Sequence, residues 1–219
     1  MEKPAQKISV GDSILKGACN PKSTDLAVQL GEISLDSFMD KGILKQIPFL
    51  KGIIACKKTW EAIHDQLFLR KVAGFILACP DFNETERERF AKKHLEDAPS
   101  AKRLGDGIVL ILDRLDDLEK PQVIAQVFAA LVRGRIDLAT FRRLAAAIDI
   151  GFLDDLKAFA NLRDAAPVQM TALYTNLLRT GLTELKGPRV PSEKGMPKVV
   201  CDVTELGRLF KEFMRQEEN

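Results

Sequence analysis

The stretch from Lys102 to Leu144, KRLGDGIVLILDRLDDLEKPQVIAQVFAALVRGRIDLATFRRL, constrains the fold more than any other. Leu104, Ile108, Ile111, Leu115 and Leu118 recur at the three-or-four spacing of one helix face, with Asp106, Asp113 and Asp117 opposite. Val109, Leu110 and Leu112 fill the flanks, so a helix over 104–118 is expected to be packed by several neighbours. Pro121 cannot continue a helical ladder, but it fits the first turn of a new helix. That helix carries Val123, Ile124, Val127, Phe128, Leu131 and Val132 as a wide apolar stripe, with Gln122, Gln126 and Arg133 as its narrow polar remainder. Gly134 suits the left-handed residue that ends a helix. Asp137 then caps a third helix, with Leu138, Phe141, Leu144 and Ile148 inward and Arg142 and Arg143 outward, closed by Gly151. Such short connections favour helices packed side by side.

Around this centre the 219 residues, 46% of them hydrophobic, suffice for one substantial core or for a domain with a small appendage. The formal net charge of +2 gives no global attraction to nucleic acid or anionic membrane. Four cysteines, Cys19, Cys56, Cys79 and Cys201, include no C-x-x-C pair. Three of them lie in apolar runs, so a reducing, cytoplasmic setting is expected. The N-terminus MEKPAQKISVGDS has no hydrophobic signal region. No apolar run reaches the roughly 18 residues that a membrane span needs.

In chain order, residues 1–22 read as irregular. Ser23 can cap a helix through about Met39, with Leu26, Leu30, Ile33 and Phe38 apolar. Pro48 marks another start, where Ile53, Cys56, Trp60, Ile63 and Leu67 share a face. The stripe then moves to Phe68, Val72, Phe75, Ile76 and Cys79, as one long helix or as two broken near His64 and Asp65. Asn83 and Glu86 form a capping-box-like start for a charged surface helix to about Leu95. Pro99 and Ser100 open the central helix. Beyond Gly151, FLDDLKAFANL reads as a short helix, and Pro167 opens another that carries Met170, Leu173, Leu177 and Leu178 and ends at Gly181. Leu182–Leu185 and Lys198–Val203 read as short strands flanking the loop KGPRVPSEKGMP. Thr204 caps a last helix with Leu206, Leu209, Phe210 and Phe213 inward.

This C-terminal order, a helix into Leu178-Arg179-Thr180-Gly181-Leu182, a hairpin, then Val203-Thr204-Glu205-Leu206-Gly207 opening a helix, resembles the second half of winged-helix domains. The resemblance covers about the last 65 residues of the chain. It implies a small α/β module and possible DNA binding. The helix that would enter the major groove, VQMTALYTNLLRTG, departs from the DNA-binding pattern. Its one cation is Arg179, at the far end, and only Gln169 and Asn176 could read bases. The wing is better supplied, with Lys186, Arg189, Lys194 and Lys198. Winged helices also serve as protein-interaction modules, and this one looks more like those. The helical middle is similar to helical bacterial proteins, a likeness that implies a fold and no activity.

The fold expected is therefore mainly α: an irregular segment 1–22, a multi-helix bundle over 23–151, and a winged-helix-like module over 152–219 carrying a small β-hairpin.

Residues that could carry chemistry form no complete set. His64 has Glu61 one turn away and no third ligand, and Glu96 lies on a different side of the helix from His94, so no metal is expected. Cys56 or Cys79 with His64 would need an electropositive, partly exposed setting, whereas Cys79 sits in an apolar wall. Asp113, Asp116, Asp117 and Glu119, with Asp154 and Asp155 later, read as solvated helix ends. LGDGIV lies within a helical pattern rather than after a strand, and no cofactor is expected. Arg133, Arg135, Arg142 and Arg143 gather around one helix junction and could bind an acidic partner or a phosphate backbone, although cations also favour helix ends for their own sake. The segment GILKQIPFLKGIIACKK, residues 42–58, could lie on a membrane surface, or be a core helix whose lysines reach water. The expectation is a non-enzymatic protein that binds another macromolecule, a protein before DNA and DNA before a membrane.

Overall fold

The computed structural model describes residues 9–19, 63–162, 168–169, 172–186 and 200–215. The protein is mainly helical, with a small antiparallel sheet toward its C-terminal end. Among the described residues, no helix is long and apolar enough to cross a membrane. The chain forms two compact units, Met1–Arg135 and Ile136–Asn219. The division falls one helix earlier than the expected boundary at residue 151, so the helix begun by Asp137 belongs with the C-terminal unit.

The first unit contains α1 (Val10–Ala18), α2 (Ile63–Ala78), α3 (Glu84–His94), α4 (Ala98–Arg114) and α5 (Lys120–Val132). α1 corrects the expectation of an irregular 1–22 segment. Ser9 and Asp12 close a reciprocal capping box, and Ile14 and Leu15 are buried against the bundle. α1 packs on α4 and α2, α2 on α5, and α3 on α5. The core centres on Phe128, whose ring meets Phe75 edge-on at 5.4 Å and Phe90 at 5.7 Å. The stripe read over Phe68, Val72, Phe75, Ile76 and Cys79 is buried throughout. α2 begins at Ile63 and includes His64 and Asp65; residues 49–62, on which the choice between one helix and two depends, lie outside the described residues.

α4 begins at an Asp97 cap that accepts from the Ser100 N–H at 3.0 Å, with Pro99 in the first turn. It ends at Arg114, not near Leu118, because Leu115 turns to an extended ψ of 132°. The intervening turn is held by the Asp117 carboxylate, which accepts the Glu119 N–H at 2.7 Å. The buried face is Leu104, Gly105, Ile108 and Leu112, while Leu110 is 63% exposed, so α4 is not enclosed on all sides. α5 buries nearly its whole surface, as its apolar stripe predicts. It closes on Gly134 at φ 71°, with Gly134 N–H donating to Leu131 O and Arg135 N–H to Ala130 O. This paired closure satisfies carbonyls that would otherwise be stranded.

The second unit contains α6 (Leu138–Ile150), α7 (Leu153–Asn161), β1 (Val168–Gln169), α8 (Ala172–Leu177) running into a 3-10 turn at Leu178–Thr180, β2 (Thr183–Lys186), β3 (Val200–Val203) and α9 (Glu205–Arg215). The strands lie in the order β1-β3-β2, both pairs antiparallel. The helix expected from Pro167 is shorter than its pattern. Val168 and Gln169 pair with Cys201 and Val200 as a strand, which leaves α8 only six residues. Phe159 is the hub, with Tyr174 edge-on at 6.4 Å, Phe210 stacked at 6.2 Å and the Lys211 ammonium 5.2 Å from its ring centre. Arg215 ties α9 to the end of α7 by donating to Ala160 O at 3.0 Å and to Leu162 O. Thr204 caps α9 by accepting the Gly207 N–H at 3.0 Å, while its hydroxyl donates to Gly181 O at 2.7 Å. The helix expected over 23–39 and the 42–58 segment lie outside the described residues.

Candidate functional site

The cations singled out by sequence fall in both compact units, Arg133 and Arg135 in the first and Arg142, Arg143, Arg179 and Lys186 in the second. Arg133 ends α5 and turns back onto α3: its Nε lies 3.6 Å from the Glu86 carboxylate, and its guanidinium sits 5.8 Å from the Phe82 ring centre. Its carbonyl also accepts from Arg89 at 3.4 Å. Arg133 thus holds a helix end in place. Arg135 is exposed two residues on and belongs to the same unit.

Arg142 and Arg143 belong to the other unit. α6 buries Phe141, Leu144, Ala145, Ala147 and Ile148, which forces the intervening positions outward. Arg142 and Arg143 are exposed and form no ion pair with the described residues. One and two turns beyond Arg142, on the same side, come the exposed Ala146 and Ile150. Gly151 then ends the helix with an extended ψ of 140°, and Phe152 opens α7. Ile150 is 52% exposed and Phe152 67%. The α6–α7 corner therefore carries two large apolar side chains in water, with two exposed guanidinium groups about two turns earlier on α6 that pair with no carboxylate among the described residues. Neither Ile150 nor Phe152 stands out in the sequence as a site residue, since each sits at a helix boundary where either orientation fits the pattern.

Beside the small sheet, Arg179 is exposed on the 3-10 turn, whereas Lys186 is engaged, its Nζ 2.7 Å from Asp202 and 3.6 Å from Glu184. Lys186 holds the Asp202 carboxyl below its ordinary range, mainly through that hydrogen bond. Arg189, Lys194 and Lys198 lie outside the described residues. Of the two amides that could read bases, Gln169 is in β1, and Asn176 donates to the Asp155 carboxylate on α7 at 2.9 Å.

The remaining candidates have structural employment. Asp116 holds the buried Lys120 ammonium at 2.6 Å, and the Asp113 carbonyl accepts from Lys71 at 2.9 Å. The His94 ring packs 5.2 Å from Phe90, and burial, with Lys93 beside it, pushes its pKa below the ordinary value. Cys79 and Cys201 are buried, and burial raises the Cys201 thiol and pushes that of Cys19 up to about 12. Among the described residues, no three His, Cys, Asp or Glu side chains gather as a metal would need. Glu61, Cys56 and the His64 side chain lie outside them. The first glycine of LGDGIV packs against α1 instead of cradling a ligand. No protein-family model, curated protein or solved structure matches the chain.

Proposed function

We propose that the protein works by binding another protein, and that the α6–α7 corner of the C-terminal unit makes the contact. The observation that carries this reading is the exposure of Phe152, 67%, beside Ile150, 52%. Leaving a phenylalanine in water forgoes about 1.5–3 kcal/mol that burial would return, and aromatic and arginine side chains are the residue types that anchor protein interfaces. Arg142 and Arg143 set the chemistry of the partner: an apolar surface flanked by carboxylates.

The β1-β3-β2 order, with α9 closing the hairpin, supports a winged-helix-like reading of this unit. Within that reading, its DNA-binding form is the weaker one. The helix between β1 and β2 has six residues, Gln169 is not on it, and Asn176 is committed to Asp155. Phosphate contact would rest on Arg179 and the wing, and its affinity would fall steeply with salt. Capture of the tagged protein from its own cells, with and without nuclease, tests the choice. A stoichiometric protein that survives nuclease is expected; recovery of nuclease-sensitive material alone would overturn the proposal in favour of the wing.

A further inference from the structure

The Thr204 N–H donates to Leu182 O at 3.0 Å, next to the Thr183–Val203 pair. In an antiparallel ladder, residues that exchange hydrogen bonds alternate with residues that do not. Leu182, Glu184 and Lys186 therefore face β3, while Thr183 and Leu185 turn their N–H and C=O away from it. Among the described residues β2 is an edge strand, as β1 is, since β3 lies between them. Thr183 is covered, being 3% exposed with its hydroxyl on Tyr174 O at 2.9 Å. Leu185 is 56% exposed, although its face-mates Cys201 and Val203 are 0% and 8% exposed. It is thus an apolar side chain on the core-facing side of the sheet, where no strand among the described residues pairs with the outer backbone edge.

We propose that Leu185 is the centre of a self-pairing edge through which two copies of the chain join, β2 to β2, antiparallel. The sequence around it is self-complementary. Pairing Leu185 with its counterpart exchanges the two outward N–H and C=O groups and covers both leucines. The same register sets Glu184 opposite Lys186 of the second copy, and Lys186 opposite Glu184, on the other face of the ribbon. Opposite charges at directly facing positions stabilise such a ladder, and like charges destabilise it. An arbitrary extended peptide could use the open edge, but only a second copy is guaranteed both the leucine and the inverted charge pair.

The test is sedimentation equilibrium of the full chain, with circular dichroism to establish that each variant is folded. A dimer is expected, and Leu185→Lys should weaken it by about tenfold or more, since both central contacts are lost at once. Glu184→Lys alone should also dissociate it, by setting lysine against lysine. Mixed with Lys186→Glu, Glu184→Lys should form the heterodimer that neither variant forms alone. If Lys186→Glu fails to fold because Lys186 also holds Asp202, then Leu185→Lys and Glu184→Lys decide the matter. A monomeric wild-type chain overturns the proposal, as does a dimer that neither substitution weakens.

Discussion

Gly11 and Gly105 meet backbone to backbone: a Cβ on Gly11 would lie 2.5 Å from the carbonyl carbon of Gly105, and one on Gly105 2.9 Å from that of Gly11. Each glycine costs its own helix on the order of 0.5–1 kcal/mol relative to alanine, and the close crossing of α1 over α4 offsets this. Gly107, two residues along α4, has nothing within 4 Å of its would-be Cβ. Gly105→Ala should destabilise the first unit by about 1–3 kcal/mol, as overpacking does, whereas Gly107→Ala should be neutral or stabilising by up to about 1 kcal/mol. Urea unfolding of the two variants side by side checks this, and equal midpoints would contradict the crossing.

Gly207 makes the same kind of contact in the C-terminal unit. A Cβ there would collide with the Leu182 carbonyl oxygen, the acceptor for Thr204 N–H. Gly207→Ala should therefore break the junction between the hairpin and α9. The expected loss is about 3 kcal/mol or more, at the upper end for overpacking. Amide hydrogen exchange should show lost protection in 200–215, with α4 and α5 of the other unit unchanged.

The Asp116–Lys120 pair sets an acid limb to stability. Lys120 is 1% exposed, and its hydrogen bond holds the Asp116 carboxyl below its ordinary value of 3.8. A carboxyl depressed in the folded state contributes stability that is present above its unfolded pKa and lost as pH falls through the folded value. Asp116→Asn should flatten this loss below about pH 4 and lower stability at pH 7. The loss at pH 7 should be about 1–2 kcal/mol, since water at the exposed Asp116 position takes up part of the lysine's demand. Thermal melts at several pH values test both effects, and parallel wild-type and variant profiles would contradict them.

Thiol chemistry should be slow in the native state. The Cys19 thiol, pushed up to about 12 by burial, is protonated at pH 8, and Cys79 and Cys201 are buried. In a Cys56→Ser background, a disulfide reagent at pH 8 should label Cys79 and Cys201 at the rate of unfolding and the half-buried Cys19 slowly, with all three accelerating sharply in denaturant. Rapid stoichiometric labelling without denaturant would refute this burial.

What was legible in the sequence was local. Gly134 at positive φ, the Asp137, Asn83 and Thr204 caps and the α5 stripe are each fixed within a few residues, and the structure has them where the pattern places them. What was not legible depends on distant partners. Two glycines, two prolines and scattered polar groups made residues 1–22 look irregular, and the reason for Gly11 lies across the unit at Gly105. Leu118 has helical spacing from Leu115, yet the Asp117–Glu119 turn intervenes. Val168 and Gln169 follow a helix-opening proline but pair with Cys201 and Val200, far along the chain. The arginine group spans the division between Arg135 and Ile136, which no local signal in the sequence marks. Exposure of Phe152 is set by what does not pack on it, which a single sequence does not record.

The most direct measurement for the central claim is capture from the protein's own cells of the wild-type chain and of Ile150→Ser/Phe152→Ser, each treated with nuclease. Both positions are exposed, so the double variant should keep the wild-type melting temperature within the small range usual for surface changes. The account predicts a stoichiometric protein on the wild-type chain that is lost from the variant and weakened by Arg142→Ala/Arg143→Ala. A partner retained equally by the wild type and the double variant would place binding elsewhere and contradict the assignment of the α6–α7 corner.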